Sequence, residues 1–263
     1  MKRKYHFFSW FCLLLMLCSI LAGCTQEKKQ AETVSGNGRQ VVVFAGDPYP
    51  PFVYAGDDGR LTGIDIELIN EACKRLGMDY RYKLINWNNK DEILANGMVD
   101  GLWSCFSMDG REDSYAWTQP YLLTHHVIVV GKYSNIRDVS DLEGRRLVVQ
   151  HSSQPEKIFL EHRQPGIPQL HDLYSVNNVD AMFGSLQMGY ADATACNEIV
   201  ARQYENKYPK DFVTLDKPLM QSHLGVAFAK NKTELQSKFN AVLQEMQKDG
   251  TIAKIVQKYE KML

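Results

Sequence analysis

The chain has 263 residues, 30 basic and 31 acidic side chains, and a formal charge of −1. That balance is too mild to imply a nucleic-acid partner, and the length suits one large domain or two modest lobes, each able to bury a core. Six cysteines without metal-ligand spacing exclude a zinc framework.

Lys2, Arg3 and Lys4 precede an apolar stretch from Phe7 to Leu21, too short for a permanent membrane span and flanked as an export signal. It ends in Leu21-Ala22-Gly23-Cys24, which resembles the bacterial lipobox. That resemblance implies removal of residues 1–23 and a diacylglycerol on the Cys24 sulfur, anchoring the protein at the extracytoplasmic face of the membrane. Loss of the three cations in residues 1–23 takes the formal charge from −1 to −4. Residues 24–39 are polar and lack aromatics, so a flexible tether is expected there. Cys73, Cys105 and Cys196 are expected as buried free thiols, although export leaves one disulfide open.

The β-branched run Val41-Val42-Val43-Phe44 reads as a buried strand delivering the chain into the loop at Gly46-Asp47-Pro48. Leu68, Ile69, Ala72 and Leu76 fall at helical spacing, and Gly77 supplies a stop. Strand-like segments recur at Tyr80–Leu84, Gly101–Cys105, Val127–Val130, Leu147–Gln150, Ala191–Cys196 and Leu224–Phe228, interleaved with helical stretches. This alternation predicts α/β architecture with largely parallel sheets. Two amphipathic stripes close the chain: Leu235, Phe239, Val242, Leu243 and Met246 before Gly250, then Ile252, Ile255, Val256 and Tyr259.

Nucleophile-elbow, zinc-helix, Walker and dinucleotide-binding motifs are all absent, which lowers the odds of an enzyme. His125 and His126 are adjacent in an apolar run, where alternation sends them to opposite faces and makes them poor joint ligands. No metal and no cofactor is expected.

In chain order, Tyr49-Pro50-Pro51-Phe52, Gly63-Ile64-Asp65-Ile66-Glu67-Leu68, Lys74-Arg75-Leu76-Gly77 and Ile93-Leu94-Ala95-Asn96-Gly97-Met98-Val99-Asp100 are followed by four more words. These are Arg111 with Trp117-Thr118-Gln119-Pro120-Tyr121, Leu142-Glu143-Gly144-Arg145-Arg146, Gly189-Tyr190-Ala191-Asp192-Ala193 and Lys248-Asp249-Gly250-Thr251. Together they resemble the family 3 extracellular solute-binding proteins, the polar amino acid receptors of ABC importers. The resemblance implies a periplasmic-binding-protein-like type II fold: two α/β lobes, joined by two chain crossings, closing on a small solute. The crossings are expected near residues 131–134 and 219–223. One lobe is then 40–131 plus 222–263, and the other 132–221. It also implies a monomeric receptor, with an ABC permease and its cytoplasmic ATPase as partners.

A free amino acid brings a carboxylate, an ammonium and a side chain. Arg111 is the candidate cation, because a guanidinium donates to a carboxylate through two prongs where a lysine cannot. The resemblance aligns Ser107-Met108-Asp109-Gly110-Arg111 with the family's serine-to-arginine turn, one residue shorter here. The bland alternative is a surface arginine paired with Asp109 or Glu112. Ser104 and Ser107 close a short strand, and Ser152, Ser153 and Gln154 match the polar loop of the second lobe. Glu156, three residues after Ser153, suggests a capping box at the same place. Tyr49 and Trp87 match the aromatic positions around the ligand side chain, whereas Phe52 reads as core. Trp103 and Phe106 alternate with Ser104 and Ser107, so one pair should face the core and the other the cleft.

Asn197 stands where the family usually places the aspartate that pairs with the ligand's ammonium. A neutral amide gives no charge compensation. Either another acid, Glu198 or Asp47, takes over, or the solute is not zwitterionic. The alternative function is an enzyme on the same fold, similar to the cyclohexadienyl dehydratases, for which Glu198 or His151 would be the acid or base.

Overall fold

A computed structural model describes residues 38–161 and 166–261. The export segment, Cys24 and most of the expected tether lie outside the described residues.

The first sheet starts from β1 (Val41–Gly46), almost wholly buried. Helix α1 (Ile64–Leu76) returns the chain to β4 (Asp79–Leu84), parallel to β1 in the register Val41↔Asp79 to Gly46↔Leu84. Ile64, Leu68, Ile69 and Ala72 form the buried stripe of α1, and Gly77 caps it with φ 65, a conformation glycine adopts without a Cβ clash. Between these elements β2 (Tyr54–Ala55) and β3 (Leu61–Thr62) form a small hairpin. With β5 (Gly101–Leu102), β6 (Ala116–Trp117) and β13 (Ala227–Phe228) the sheet order is β4-β1-β5-β13-β6. The strands β4, β1 and β5 are parallel, and β13 and β6 close the edge antiparallel.

A Cβ on Gly46 would meet Ser104 Cβ and Tyr82 Oη at 2.3 Å, so only glycine lets the end of β1 lie against the loop after β5. Helix α6 (Thr233–Lys248) covers this sheet beside α1, α7 (Thr251–Glu260) packs against both helices, and Phe44, Trp103, Phe228 and Phe239 interlock edge-on or tilted in its core. Asp65, with no exposed surface, accepts the Cys105 backbone N–H at 2.7 Å and the Tyr121 hydroxyl at 2.8 Å. It thereby fixes the loop after β5 to the start of α1.

The second sheet has the order β11-β7-β10-β8-β9, with β12 also on β7. Its strands are β7 (Leu122–Gly131), β8 (Arg146–Gln150), β9 (Asp172–Val176), β10 (Ala193–Asn197), β11 (Phe212–Thr214) and β12 (Met220–Leu224). Its helices are α3 (Gln154–Glu161), α4 (Val179–Gln187) and α5 (Glu198–Lys207). The strands β10, β8 and β9 are parallel, whereas β7, β11 and β12 run antiparallel to their neighbours. The parallel pattern read from the sequence therefore holds on one side of each sheet, out to the edge strands β4 and β9, and gives way to antiparallel pairing on the other.

The strand pairing fixes where the chain passes between sheets. The chain leaves the first sheet after Trp117 and joins the second at Leu122, then returns between Leu224 and Ala227. The turn at 131–134 marks the end of β7 and not a change of sheet. β-propensity shows that residues 122–131 form a strand but not which sheet receives it. β7 and β12 run side by side from Leu122↔Leu224 to His126↔Met220, forming a two-stranded band beside both passages.

Candidate functional site

The loops after β1, β5 and β8 converge on one small cavity. Strand ends are where an α/β sheet leaves side chains and amides unpaired and aimed outward. Tyr49, Trp87, Ser104, Ser107, Arg111, Ser152, Ser153 and Gln154 all line it, together with Asp47, Cys105, Phe106, His126 and Gln150. Its volume is about 40 Å³, room for the centres of only a few waters.

Hydrogen bonds cross the cavity from one sheet's loops to the other's. Arg111 donates through Nη2 to the Ser152 carbonyl at 2.9 Å and through Nη1 to the Ser107 carbonyl at 3.1 Å. Gln150 Nε2 donates to Asp47 Oδ2 at 2.5 Å, and Lys157 Nζ to the Gly110 carbonyl at 2.8 Å.

Arg111 makes no ion pair among the described residues. Asp109 is engaged by Ser107 and His223, and Glu112 by the Gly110 N–H, so neither pairs with it as the surface reading required. The guanidinium sits 5.4 Å from the Phe106 ring centroid, and burial lowers its pKa. Two of its five N–H donors face backbone carbonyls, which leaves donors and a full charge for an anion.

The cavity's other charge is Asp47, 5% exposed. Burial pushes its carboxyl up to about 6, against the hydrogen bond from Gln150 and smaller contributions from its own backbone, Ser104 and Lys90. His126, 7% exposed, is held neutral at neutral pH: burial, then the Arg111 charge, push it down to about 4. His125 points the other way, to Glu198 at 3.1 Å, as strand alternation requires.

Trp87 packs edge-on against Phe106 at 4.8 Å with Lys90 Nζ 5.3 Å from its ring centroid, forming one wall. Phe106 is thus both packed and cavity-lining, while Trp103 and Phe52 are wholly core. Ser153 Oγ accepts the Glu156 N–H at 3.2 Å, and Glu156 Oε2 reaches back to the Ser152 N–H at 2.6 Å, one residue before the position a capping box would use. The non-glycine residues with positive φ among the described residues are Cys105 (46°) and Ser152 (59°), one on each side of the cavity. Backbone strain of this kind persists where the surroundings over-determine it, and concentrates at functional sites.

Asn197 differs in placement from the other candidate residues. It is fully buried and does not line the cavity. Its Oδ1 accepts the Ile199 N–H at 2.9 Å as the N-cap of α5, and its Nδ2 donates to Thr124 Oγ1 at 3.4 Å. A residue leaving β10 with extended backbone directly before a helix is drawn to that capping role. Glu198 and His151 lie outside the cavity as well: Glu198 accepts from Thr124 Oγ1 and the His125 N–H, and His151 pairs with Glu156. Cys73, Cys105 and Cys196 are free thiols.

Residues 41–262 match the model of the bacterial extracellular solute-binding proteins, family 3. The chain belongs to this family. Among relatives, it is 25% identical over 214 residues to the L-cystine-binding protein TcyJ of Escherichia coli K12, covering 80% of this chain and 79% of that one. It is 29% identical over 231 residues to the histidine-binding periplasmic protein of Salmonella typhimurium, covering 84% and 87%. The crystal structure of an ancestral amino acid-binding protein, a precursor of cyclohexadienyl dehydratase, superposes with a TM-score of 0.75 at 26% identity, covering 83% of this chain and 95% of that one. The two sheets with their helices accordingly form the α/β architecture of the type II binding-protein fold.

Sequence reasoning did not single out His126, Gln150 or Cys105 for the cavity, and named Asp47 only as a substitute acid. His126 sits inside a β-branched run and Gln150 at a strand end, so only the approach of the two sheets reveals them.

Proposed function

We propose that this family 3 protein is the substrate-binding component of an ABC importer and captures an amino acid or closely similar solute between its lobes. It would deliver that solute to a membrane permease driven by a cytoplasmic ATPase. The observation that carries the reading is the Arg111 guanidinium: it lines the cavity, lacks a carboxylate partner among the described residues, and shares that lining with Ser104, Ser107, Ser152 and Ser153. A planar two-pronged cation with neutral donors around it is what a solute carboxylate requires. Tyr49, Trp87 and Phe106 supply an aromatic wall for the remainder of the solute. Names of relatives that bind cystine and histidine agree with an amino-acid ligand.

In the same reading Cys24 carries the lipid, and the domain works on the extracytoplasmic face of the membrane as a monomer. Cys24→Ser should then release the protein to the soluble fraction, and continued membrane association of a normally processed variant would contradict the anchor. A thermal-shift screen of the mature domain against amino acids, oligopeptides and organic acids tests the ligand class, because a solute that binds only the folded state raises apparent stability. An enzyme is the second reading, favoured by the likeness to a dehydratase precursor. Recovery of the bound solute unchanged after long incubation is expected, and its conversion would establish the enzyme instead.

A further inference from the structure

The cavity has a definite charge complement. Of its lining residues, Arg111 is the one cation and Asp47 the one anion, with His126 neutral at neutral pH. Lys90 lies close enough to be felt by both Asp47 and Arg111, but it does not line the cavity. Position 197, where the family resemblance leads one to expect an acid, holds an amide whose oxygen caps α5.

Resting on the amino-acid reading above, we infer that Asp47 receives the cationic nitrogen of the solute, and that the solute is a net-neutral zwitterion with an uncharged, hydrogen-bonding remainder. A desolvated ammonium needs an anion in contact with it, and an amide already serving a helix cap gives no charge. Asp47 is anchored for this work. Ser104 Oγ donates to its backbone carbonyl at 3.1 Å, and Gln150 Nε2 from the opposite lobe donates to Oδ2 at 2.5 Å. The carboxylate is thus held on both sides of the cleft and keeps lone pairs for a further donor.

The uncharged remainder follows from the same inventory. A second ammonium, a guanidinium or a second carboxylate would enter a cavity with no charged lining group left to meet it. Hydrogen-bonding character follows from two polar atoms of cavity-lining residues, His126 Nδ1 and Gln154 Oε1, both buried without a partner among the described residues. Buried polar atoms in native proteins are ordinarily satisfied, so a wall that carries two such atoms is suited to a polar solute.

The test is calorimetric titration of the mature domain with L-glutamine, L-serine, L-histidine, L-arginine, L-lysine and L-glutamate, followed by Asp47→Asn and Asn197→Asp. The tightest ligand is expected among those with uncharged side chains. Asp47→Asn should weaken that ligand at least ~30-fold, the loss expected when one partner of a buried charged contact is removed. It should not change the affinity of the matching α-hydroxy acid, which lacks the cation. Asn197→Asp should leave affinity within about twofold, because aspartate caps a helix as asparagine does. Arginine, lysine or glutamate as the tightest ligand overturns the neutral class. An unchanged affinity in Asp47→Asn, or a marked tightening in Asn197→Asp, overturns the role of Asp47. Binding of none of these amino acids removes the amino-acid reading itself and this inference with it. A melting temperature for Asp47→Asn close to the wild type's separates lost binding from lost folding.

Discussion

Asp109 holds His223 at two points: its Oδ2 accepts the His223 backbone N–H at 2.9 Å, and its Oδ1 lies 2.7 Å from the ring Nδ1. The same Oδ2 accepts Ser107 Oγ at 2.7 Å, and the Met108 N–H donates to the His223 carbonyl at 2.9 Å. His223 belongs to β12, the strand that accompanies β7 where the chain passes between lobes. The turn that presents Arg111 is therefore fastened to the inter-lobe band. Burial alone would raise the Asp109 carboxyl, but the hydrogen bonds from His223 and Ser107 outweigh it and bring it below the ordinary value.

Asp109→Ala should accordingly free the turn. The expected outcome is about tenfold weaker binding of a carboxylate solute and a loss of about 1.5 to 3 kcal/mol of stability, the range for hydrogen bonds to a charged group. Calorimetry and urea unfolding measure the two effects. Unchanged affinity would mean that the turn holds Arg111 without this anchor.

Asp65 should be the more severe structural site. Asp65→Ala strands the Cys105 N–H and the Tyr121 hydroxyl inside the protein, and should cost about 2 to 5 kcal/mol. Urea unfolding that shows less than ~1 kcal/mol of change would mean that water replaces the carboxylate.

Binding should depend on pH through Asp47. Burial raises its carboxyl to about 6. The groups around it are Lys90 from α2 (Lys90–Ala95), Arg111, Gln150 and Ser104, with Tyr49, Tyr82 and Cys105 feeling its charge. A cationic solute favours the ionised form, so below about pH 6 a proton must leave before the solute binds. Affinity should rise as pH increases through 6 and fall up to about tenfold per unit below it. His126, pushed down to about 4, stays neutral across this window. Titrations at several pH values should show the slope in wild type and its loss in Asp47→Asn; a flat wild-type profile would contradict it.

Much of this was legible from local chemistry. Leu68, Ile69, Ala72 and Gly77 specify α1 and its stop through periodicity and a left-handed cap, which depend only on near neighbours in sequence. Arg111 was named for the two-pronged chemistry of a guanidinium and Ser152 to Gln154 for their resemblance to the family's polar loop, and all four line the cavity. The position of the passages between sheets was not, because a β-branched run such as Val127–Val130 satisfies either sheet. Nor was the assignment of Asn197. Its residue type fits a helix cap and a ligand contact equally, and the choice depends on the start of α5 and on Thr124 from another strand.

The central claim, that Arg111 receives the carboxylate of a solute enclosed between two lobes, is tested most directly by calorimetric titration of wild type and Arg111→Lys with the tightest amino acid found in the screen. Lysine keeps the charge but loses the planar fork. The account requires a loss of about 2 to 5 kcal/mol in binding free energy with the melting temperature of the free domain little changed. Equal affinity in the two proteins would contradict it and remove Arg111 from the solute site.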